Sequence, residues 1–277
     1  MITIGVYNHK GGVGKTTVSV NLATALATEF EKKVLVLDVD EQCDCTDWLL
    51  AGNKSEDMLR VTNYLNYVYA DELKAKNGFE DKNATNDVRK IIRHPVYEVK
   101  KKTKTYENIG VIPSGKGYKY YPISNVKVIK DMLAQVSDEY DFCVIDMPAD
   151  LSDMTEVSMV ACDYILCVAS TDANSAKNWT ELNNEIKKIR KMEWNISLKL
   201  LGIILNSCET FSFSKELIGL MEKSLKQYLF DVRIPRAGVV GKSYSYKRPL
   251  TIYYPKMPAT KLFVKAAKEI IEKTKGR

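Results

Sequence analysis

The strongest chemical signal in the sequence is a glycine-rich run between two lysines, KGGVGKTT at residues 10–17. The apolar segment ITIGVY precedes it and the helix-like segment VSVNLATALA follows it, so a predicted strand leads into a helix here. Glycines let backbone N–H groups approach phosphate oxygens, and the positive end of the helix dipole favours an anion. This context predicts a phosphate-binding loop. The alternative is a chance glycine-rich turn, which would not require a strand before it and a helix after it.

The residue types within this loop indicate separate tasks for its side chains and its backbone. Lys15 would reach the β- and γ-phosphates of a nucleoside triphosphate, and the hydroxyl of Thr16 would bind Mg²⁺. The backbone around the glycines would surround the phosphates. The predicted nucleotide-binding residues of the loop are Gly11, Gly12, Val13, Gly14, Lys15, Thr16 and Thr17.

Two predicted strands end in aspartates. The segment KVLVLDVDEQ ends in Asp38 and Asp40, and FCVIDMP ends in Asp146. Because ligands of a parallel sheet bind beyond the carboxyl ends of its strands, Asp40 and Asp146 are candidates, with Thr16, to hold a metal ion. Asp38 fits a structural role better. Any one of these carboxylates alone could equally cap a helix or face solvent.

Six short apolar runs supply the elements that must position these residues: ITIGVY, KVLVLD, NIGVI, FCVID, YILCVA and LLGIIL. Continuous apolar runs are typical of parallel strands that are buried on both faces. Helical spacing lies between them, for example at Val18, Leu22 and Leu26 and again at Leu182 and Ile186. The alternation predicts an α/β fold, a doubly wound and mostly parallel sheet with helices on both faces.

A chain of 277 residues with 45% apolar residues can bury a sizeable core. We expect one domain over residues 1–277, elaborated at residues 52–106 by helices and loops, because that stretch holds few strand signals. No apolar run approaches the roughly 18 residues that span a bilayer, and the N-terminus lacks the layout of a secretory signal. A cytoplasmic protein is therefore expected.

The six cysteines, at positions 43, 45, 143, 162, 167 and 208, form no repeated CxxC pair. Structural zinc sites use such pairs, so buried reduced thiols are the better interpretation. The formal net charge of +6 permits an anionic partner without requiring one.

The phosphate-binding loop departs from the pattern GxxxxGK[ST] at its first position, where His9 is followed by Lys10. The run KGGVGKTT resembles the deviant Walker A loop of the ParA/MinD family of P-loop ATPases, most closely its ParA-type (Soj-like) DNA-partitioning members. The resemblance implies ATP and Mg²⁺ as cofactors, and a homodimer in which Lys10 contacts the partner's ATP. Enclosing a nucleotide between subunits removes screening water, which favours an added cation. A surface lysine without a role is the alternative.

The resemblance covers most of the chain and implies roles for residues outside the loop. Asp146 matches the Walker B aspartate, which reaches Mg²⁺. Asp40 matches the second aspartate of the segment DxDPQ, which orients the attacking water. The catalytic residues expected from the resemblance are Lys10, Lys15 and Asp40. The residues expected beside the adenine base are Asn206, in LLGIILN, and Pro235 and Arg236, in the segment IPR.

Three departures from the family pattern fall in the expected switch regions. Glu41 replaces the usual proline, CDCT stands at residues 43–46 where GNAT is common, and MPAD stands at residues 147–150 where TPPS is common. These departures put in question the rate of hydrolysis and its control.

The charge distribution favours DNA as a partner. From residue 231 to residue 277 there are twelve Lys/Arg against three Asp/Glu. Within that stretch Lys242, Lys247 and Arg248 alternate with tyrosines, a mixture that suits a phosphate backbone. A solvated helix face or a nucleotide-pocket loop would explain the same residues. A second basic run, residues 89–104, has seven Lys/Arg and one Glu and could serve DNA, a partner protein or neither.

These observations lead to three hypotheses of different classes. The first is a nucleoid-associated DNA-partitioning ATPase that forms an ATP sandwich dimer, binds double-stranded DNA non-specifically and is stimulated by a ParB-type centromere-binding partner. The second is a MinD-like membrane-associated positioning ATPase that uses the last helix, residues 258–275. The apolar face of that helix is rich in alanine, which suits packing on the sheet better than insertion among lipids. The third is a metabolic enzyme, which would not need Lys10.

Overall fold

The computed structural model describes residues 1–52, 57–170, 175–208, 219, 223 and 225–275. The strands in this part of the chain are β1 (Ile2–Tyr7), β2 (Val34–Asp38), β3 (Val96–Val99), β4 (Lys102–Thr105), β5 (Ile109–Ile112), β6 (Phe142–Asp146), β7 (Tyr164–Ala169), β8 (Lys199–Cys208) and β9 (Leu229–Pro235). The helices are α1 (Lys15–Glu29), α2 (Asp44–Leu49), α3 (Val61–Val68), α4 (Ala70–Asn77), α5 (Val128–Ala134), α6 (Asp153–Ala161), α7 (Ser175–Lys191), α8 (Gly238–Ser245), α9 (Leu250–Tyr253) and α10 (Pro258–Thr274).

Seven of these strands form one sheet in the order β5-β2-β6-β1-β7-β8-β9, and every neighbouring pair is parallel. All six strands predicted from the apolar runs are in it. The first strand lies near the middle of the sheet, between β6 and β7, so the chain winds outward in both directions. The predicted doubly wound α/β fold is confirmed.

Hydrophobic residues pack on both faces of this sheet, which explains why its strands are apolar without alternation. Helices α3, α5, α6 and α7 contribute to the core on one face. Helices α1, α2 and α10 contribute to the core on the other face. The spacing that predicted the helices is the spacing of their buried residues, such as Leu22 and Leu26 in α1 and Leu182 and Ile186 in α7.

Strand β9 has a pattern that the sequence analysis did not recognise as a strand. Its buried residues, Phe230, Val232 and Ile234, alternate with the exposed Asp231 and Arg233. It lies at the edge of the sheet, so among the described residues a neighbouring strand pairs with only one of its two sides. An edge strand can therefore carry charged residues that a central strand excludes. As a result, β9 has no continuous apolar run by which the sequence could identify it as a strand.

The prediction of only helices and loops for residues 52–106 is wrong in one respect, because this stretch also contains a two-stranded antiparallel hairpin. Strands β3 and β4 pair from Val96 opposite Thr105 to Val99 opposite Lys102. The sequence of β4 is KTKT, and all four residues are exposed, so no apolar alternation marks it as a strand. Helices α3 and α4 occupy the first part of the stretch, as expected. The assignment of residues 1–277 to a single domain stays a prediction.

The last helix packs into the core. Along α10 the buried residues include Phe263, Ala266, Ala267 and Ile270, and the helix lies against α1 and β9. The alanines allow this close approach, as expected from the sequence. Across the residues that the structure describes, no helix has both the length and the apolar character needed to cross a membrane.

All six cysteines are free thiols. Five are buried, and Cys208 is half-buried at the end of β8. Burial raises the pKa of Cys143 and Cys167, so these thiols stay protonated at neutral pH. The expectation of buried reduced thiols is confirmed for all but Cys208, which is only partly buried.

Substitution Phe263→Ala tests whether α10 is part of the core. The Phe263 side chain is fully buried, so its removal leaves a cavity between α10 and the sheet. We expect the free energy of unfolding to fall by about 3–5 kcal/mol. Urea denaturation followed by circular dichroism measures this loss. Lys261→Ala, at an exposed position of the same helix, should change the free energy by no more than about 0.5 kcal/mol. Equal effects of the two substitutions would contradict the packing.

Candidate functional site

A buried asparagine fixes the start of the phosphate-binding loop. The side-chain nitrogen of Asn8 donates to the backbone carbonyl of Val168, at 2.6 Å, and its side-chain oxygen accepts from the backbone N–H of Lys10, at 2.8 Å. Asn8 therefore ties the loop to β7 and holds its first residues. The sequence analysis did not single out this residue, because an asparagine after a strand usually indicates only a turn.

The glycines have the geometry that a phosphate cradle needs. Gly12 and Gly14 have φ angles of 77° and 91°, in the left-handed region that favours glycine. A Cβ added at Gly11 or Gly12 would meet none of the described atoms within 4 Å, so the backbone faces open space. Gly14 is the N-cap of α1 and supplies no side-chain cap. The first N–H groups of α1 are therefore available to an anion.

The two residues after Gly14 point into the site in different ways. The side chain of Lys15 is buried, and this desolvation lowers the pKa of its ammonium, while Asp146 and Asp40 oppose the shift. The hydroxyl of Thr16 donates to Oδ2 of Asp146 at 2.8 Å. Ser19, one turn further along α1, donates to Oδ1 of Asp146 at 2.6 Å. Asp146 thus accepts two hydroxyl hydrogen bonds from α1.

Asp38 and Asp146 lie opposite each other at the ends of β2 and β6. Both are fully buried, and burial raises the pKa of each carboxyl, with mutual repulsion adding to the shift of Asp38. Asp38 accepts hydrogen bonds from the backbone and the hydroxyl of Thr46, at 2.8 and 2.7 Å, and from the backbone of Asp40, at 3.0 Å. These contacts support a structural role for Asp38.

Asp40 occupies the rim of the site. Its carboxylate accepts from the backbone N–H of Gln42 at 3.0 Å, and the residue is half-buried beside a cavity of about 520 Å³. Asp150 and Asp153 line the same cavity. The structure therefore brings Asp40 close to the buried cluster of Lys15 and Asp146 but leaves its carboxylate accessible.

The other predicted binding residues meet on the opposite side of the loop. The side-chain nitrogen of Asn206 donates to the backbone carbonyl of Val13 at 2.8 Å. A Cβ at Gly14 would collide with the same amide, so the close approach requires glycine there. Asn206 also lines a cavity of about 390 Å³ together with Thr17, Pro235 and Arg236. This cavity adjoins the start of α1, where a base would follow its phosphates.

Lys10 lies at the exposed tip of the loop, outside the buried cluster. Its exposure distinguishes it from Lys15, whose side chain is buried.

These residues fit ATP and Mg²⁺. The open glycine backbone, the uncapped N-terminus of α1 and the buried Lys15 supply donors and positive charge for phosphates. Thr16 and Asp146 supply oxygens for a hard cation. Within the described ranges, no cluster of three His, Cys, Asp or Glu side chains could hold a metal. Mg²⁺ at a nucleotide site needs no such cluster, since phosphates and waters complete its shell.

Two comparisons establish the family. A family model described as an AAA domain matches residues 1–200. The sporulation initiation inhibitor protein Soj of Bacillus subtilis is 27% identical over 274 residues, which cover 96% of this chain and 97% of Soj. The chain belongs to the ParA/MinD family of P-loop ATPases. It is therefore an ATPase.

Other relatives agree with this ParA/MinD assignment. The chromosome partitioning protein ParA of Caulobacter vibrioides is 25% identical, with 99% of this chain and 95% of that protein covered. The fold is shared with a variant of McdA from Cyanothece that was solved in complex with ATP. The two structures superpose with a TM-score of 0.73 at 21% identity, over 98% of this chain and 96% of McdA.

The departures from the ParA/MinD pattern have structural partners here. Glu41 accepts a hydrogen bond from the backbone of Tyr118 at 2.6 Å and so attaches the loop after β2 to the loop after β5. Cys43, where the family pattern has glycine, keeps a glycine-like φ of 58°. Met147 is fully buried and would contact any Cβ at Gly5. Of these three residues, Glu41 thus makes a hydrogen bond between two loops, and Met147 packs in the core.

Asp44 connects the first switch segment to α8, a contact that the sequence did not predict. Its carboxylate accepts from the hydroxyl of Tyr244 at 3.0 Å and lies 4.0 Å from the ammonium of Lys247. The ring of Tyr244 packs edge-on against Trp48, with centroids 5.4 Å apart. The residues are some 200 positions apart, so no local pattern could reveal the contact.

Substitution Thr16→Ala tests the metal position. It removes the hydroxyl beside Asp146. We expect the factor by which Mg²⁺ strengthens ATP binding to be at least about tenfold smaller than in the wild type. A fluorescent ATP analogue titrated with and without Mg²⁺ measures this. Thr16→Ser keeps the hydroxyl and should retain the Mg²⁺ effect. If both variants respond to Mg²⁺ like the wild type, Thr16 does not bind the metal.

Proposed function

We propose that this ATPase is a DNA-partitioning motor that two identical subunits form by closing around two ATP molecules. The observation that carries the proposal is the opposite placement of two lysines in one loop. Lys15 is buried among the carboxylates, whereas Lys10 is exposed at the tip. Lys15 would therefore serve the subunit's own nucleotide, and the exposed Lys10 would contact a nucleotide held by a facing subunit.

The site residues divide the work between binding and hydrolysis. Lys15 and the loop backbone hold the phosphates, while Thr16 and Asp146 bind Mg²⁺, which neutralises phosphate charge when present. The accessible carboxylate of Asp40 orients the attacking water. Lys10 of each subunit adds positive charge to the nucleotide of its neighbour. On the other side, Asn206, Pro235 and Arg236 surround the base.

DNA is the surface on which the dimer acts. The stretch from residue 231 onward carries a large excess of Lys and Arg, and Lys242 and Arg248 are exposed within it. Relatives of similar length include a chromosome partitioning protein. A dimer that binds phosphates without reading bases would associate with the nucleoid in the cytoplasm. A ParB-type partner bound to the cargo would stimulate hydrolysis and so release the dimer.

The second candidate is a membrane-positioning ATPase of the MinD type. It would require α10 to offer an apolar face to lipids. In this chain Phe263, Ala266 and Ile270 of that face are buried against α1 and the sheet. Binding lipids through α10 would cost this packing, so DNA is the better candidate.

Substitution Lys10→Ala tests the proposed sandwich dimer. Removing a charge that is enclosed at an interface costs several kcal/mol, so we expect dimerisation with ATP and Mg²⁺ to weaken on the order of a hundredfold. Light scattering with a non-hydrolysable ATP analogue measures the mass, and a fluorescent analogue checks that each monomer still binds nucleotide. Wild type with ADP should remain monomeric.

The matched control is Lys33→Ala, an exposed lysine just before β2 and so at the other end of the sheet. It should dimerise like the wild type. A Lys10→Ala protein that dimerises normally, or a wild type that stays monomeric with the ATP analogue, would defeat the sandwich dimer.

DNA binding should depend steeply on salt. If the dimer contacts about six phosphates, its affinity for DNA falls on the order of a thousandfold between 50 and 200 mM salt. Fluorescence anisotropy with two 24-bp duplexes of unrelated sequence measures this, and both duplexes should bind equally. Binding should require the ATP analogue. Absence of binding at low salt would count against a DNA-partitioning function.

A further inference from the structure

The hairpin of β3 and β4 carries a patch of exposed positive charge outside the candidate site. We call residues 96–105 the basic hairpin. Its tip consists of Lys100 and Lys101, and β4 adds Lys102 and Lys104. All four lysines are exposed, and Glu98 is the one acidic residue within these ten positions.

The strand register separates this acidic residue from the lysines. Glu98 is opposite Thr103, whereas Lys102 is opposite Val99 and Lys104 is opposite Tyr97. Directly paired residues share a face of an antiparallel hairpin, and neighbours along a strand alternate between faces. Lys102 and Lys104 therefore lie on the face of Tyr97, about 7 Å apart, and Glu98 lies on the other face.

Tyr97 anchors this face to the body of the protein, next to the basic C-terminal stretch. Its hydroxyl donates to the backbone carbonyl of Leu49 at 2.9 Å. Its ring packs edge-on against Tyr253, with centroids 5.7 Å apart. The guanidinium of Arg248 lies over the same Tyr253 ring, 5.1 Å from its centre. A chain of two ring contacts thus joins the basic hairpin to Arg248.

The tip of the basic hairpin keeps lysines in an unfavourable conformation. Lys100 and Lys101 have φ angles of 51° and 64°, which is the two-residue turn that favours Asn-Gly. A residue with a Cβ in this region costs about 1–2 kcal/mol relative to its preferred conformation. Both side chains are exposed, so packing does not compensate for this cost. Side chains that are held in such a conformation are candidates for a functional role.

We propose that the basic hairpin and Arg248 form one surface that binds the phosphate backbone of duplex DNA. The inference rests on the proposed function and identifies a surface through which the dimer binds DNA. Lysines are flexible point charges that neutralise phosphates without reading bases. Apolar side chains beside the charges would strengthen binding to a membrane surface, and the tip and β4 present only lysines and threonines. The surface therefore fits a polyanion that is contacted by charge alone.

The double substitution K100N/K101G tests this surface without threatening the fold. It removes two charges and installs the residue pair that the turn favours, so stability to urea should be equal or higher. We expect about tenfold weaker binding to an arbitrary 24-bp duplex in the presence of the ATP analogue. The slope of log affinity against log salt should become shallower by about 2. K102Q/K104Q leaves the turn unchanged and should act similarly.

The matched control is K127Q/K130Q, which neutralises two exposed lysines at α5, on the opposite face of the sheet. It should bind DNA like the wild type. The inference is overturned if the hairpin variants bind like this control, if they lose dimerisation, or if they lose binding to phosphatidylserine vesicles but not to DNA. A wild type that binds no DNA defeats the proposed function itself, and this inference with it.

Discussion

Two carboxylates buried side by side are the constraint on which this site depends. Asp38 and Asp146 end neighbouring strands, and burial raises the pKa of both. Such a pair is tolerated when donors and cations surround it or when one of the two carboxyls is protonated. Thr46 and Ser19 supply hydroxyls, and the buried ammonium of Lys15 supplies charge. The carboxyl ends of these two strands therefore concentrate acidic groups, which a cation such as Mg²⁺ would stabilise.

The same carboxylates connect the site to distant surfaces. Asp38 fixes Thr46 in α2, and the hydroxyl of Thr46 also accepts from the backbone of Ser114 at 2.9 Å. Two residues before Thr46, Asp44 contacts Tyr244 of α8. A change in the conformation of the segment after β2 would therefore affect both the loop after β5 and the basic C-terminal stretch. These contacts join the segment after β2 to the loop after β5 and to α8.

The lysines of this protein differ in burial and in position. Lys15 is buried where it offsets carboxylates, Lys10 is exposed at the loop tip, and the lysines of the basic hairpin project on the side of Tyr97. The basic hairpin adjoins Arg248 through the aromatic contacts of Tyr97 and Tyr253. The same residue type thus occurs in three different environments.

The sequence is sufficient to predict the central strands, helices α1 and α10, and the phosphate-binding loop, because periodicity and glycine spacing are local properties of the chain. It did not reveal β9 or the basic hairpin, whose strands carry charge at an edge and so lack an apolar run. Nor does it show which residues contact each other across the fold, such as Asn8 with Val168 and Ser19 with Asp146. Such partners are more than a hundred positions apart, and packing, which no local pattern records, brings them together.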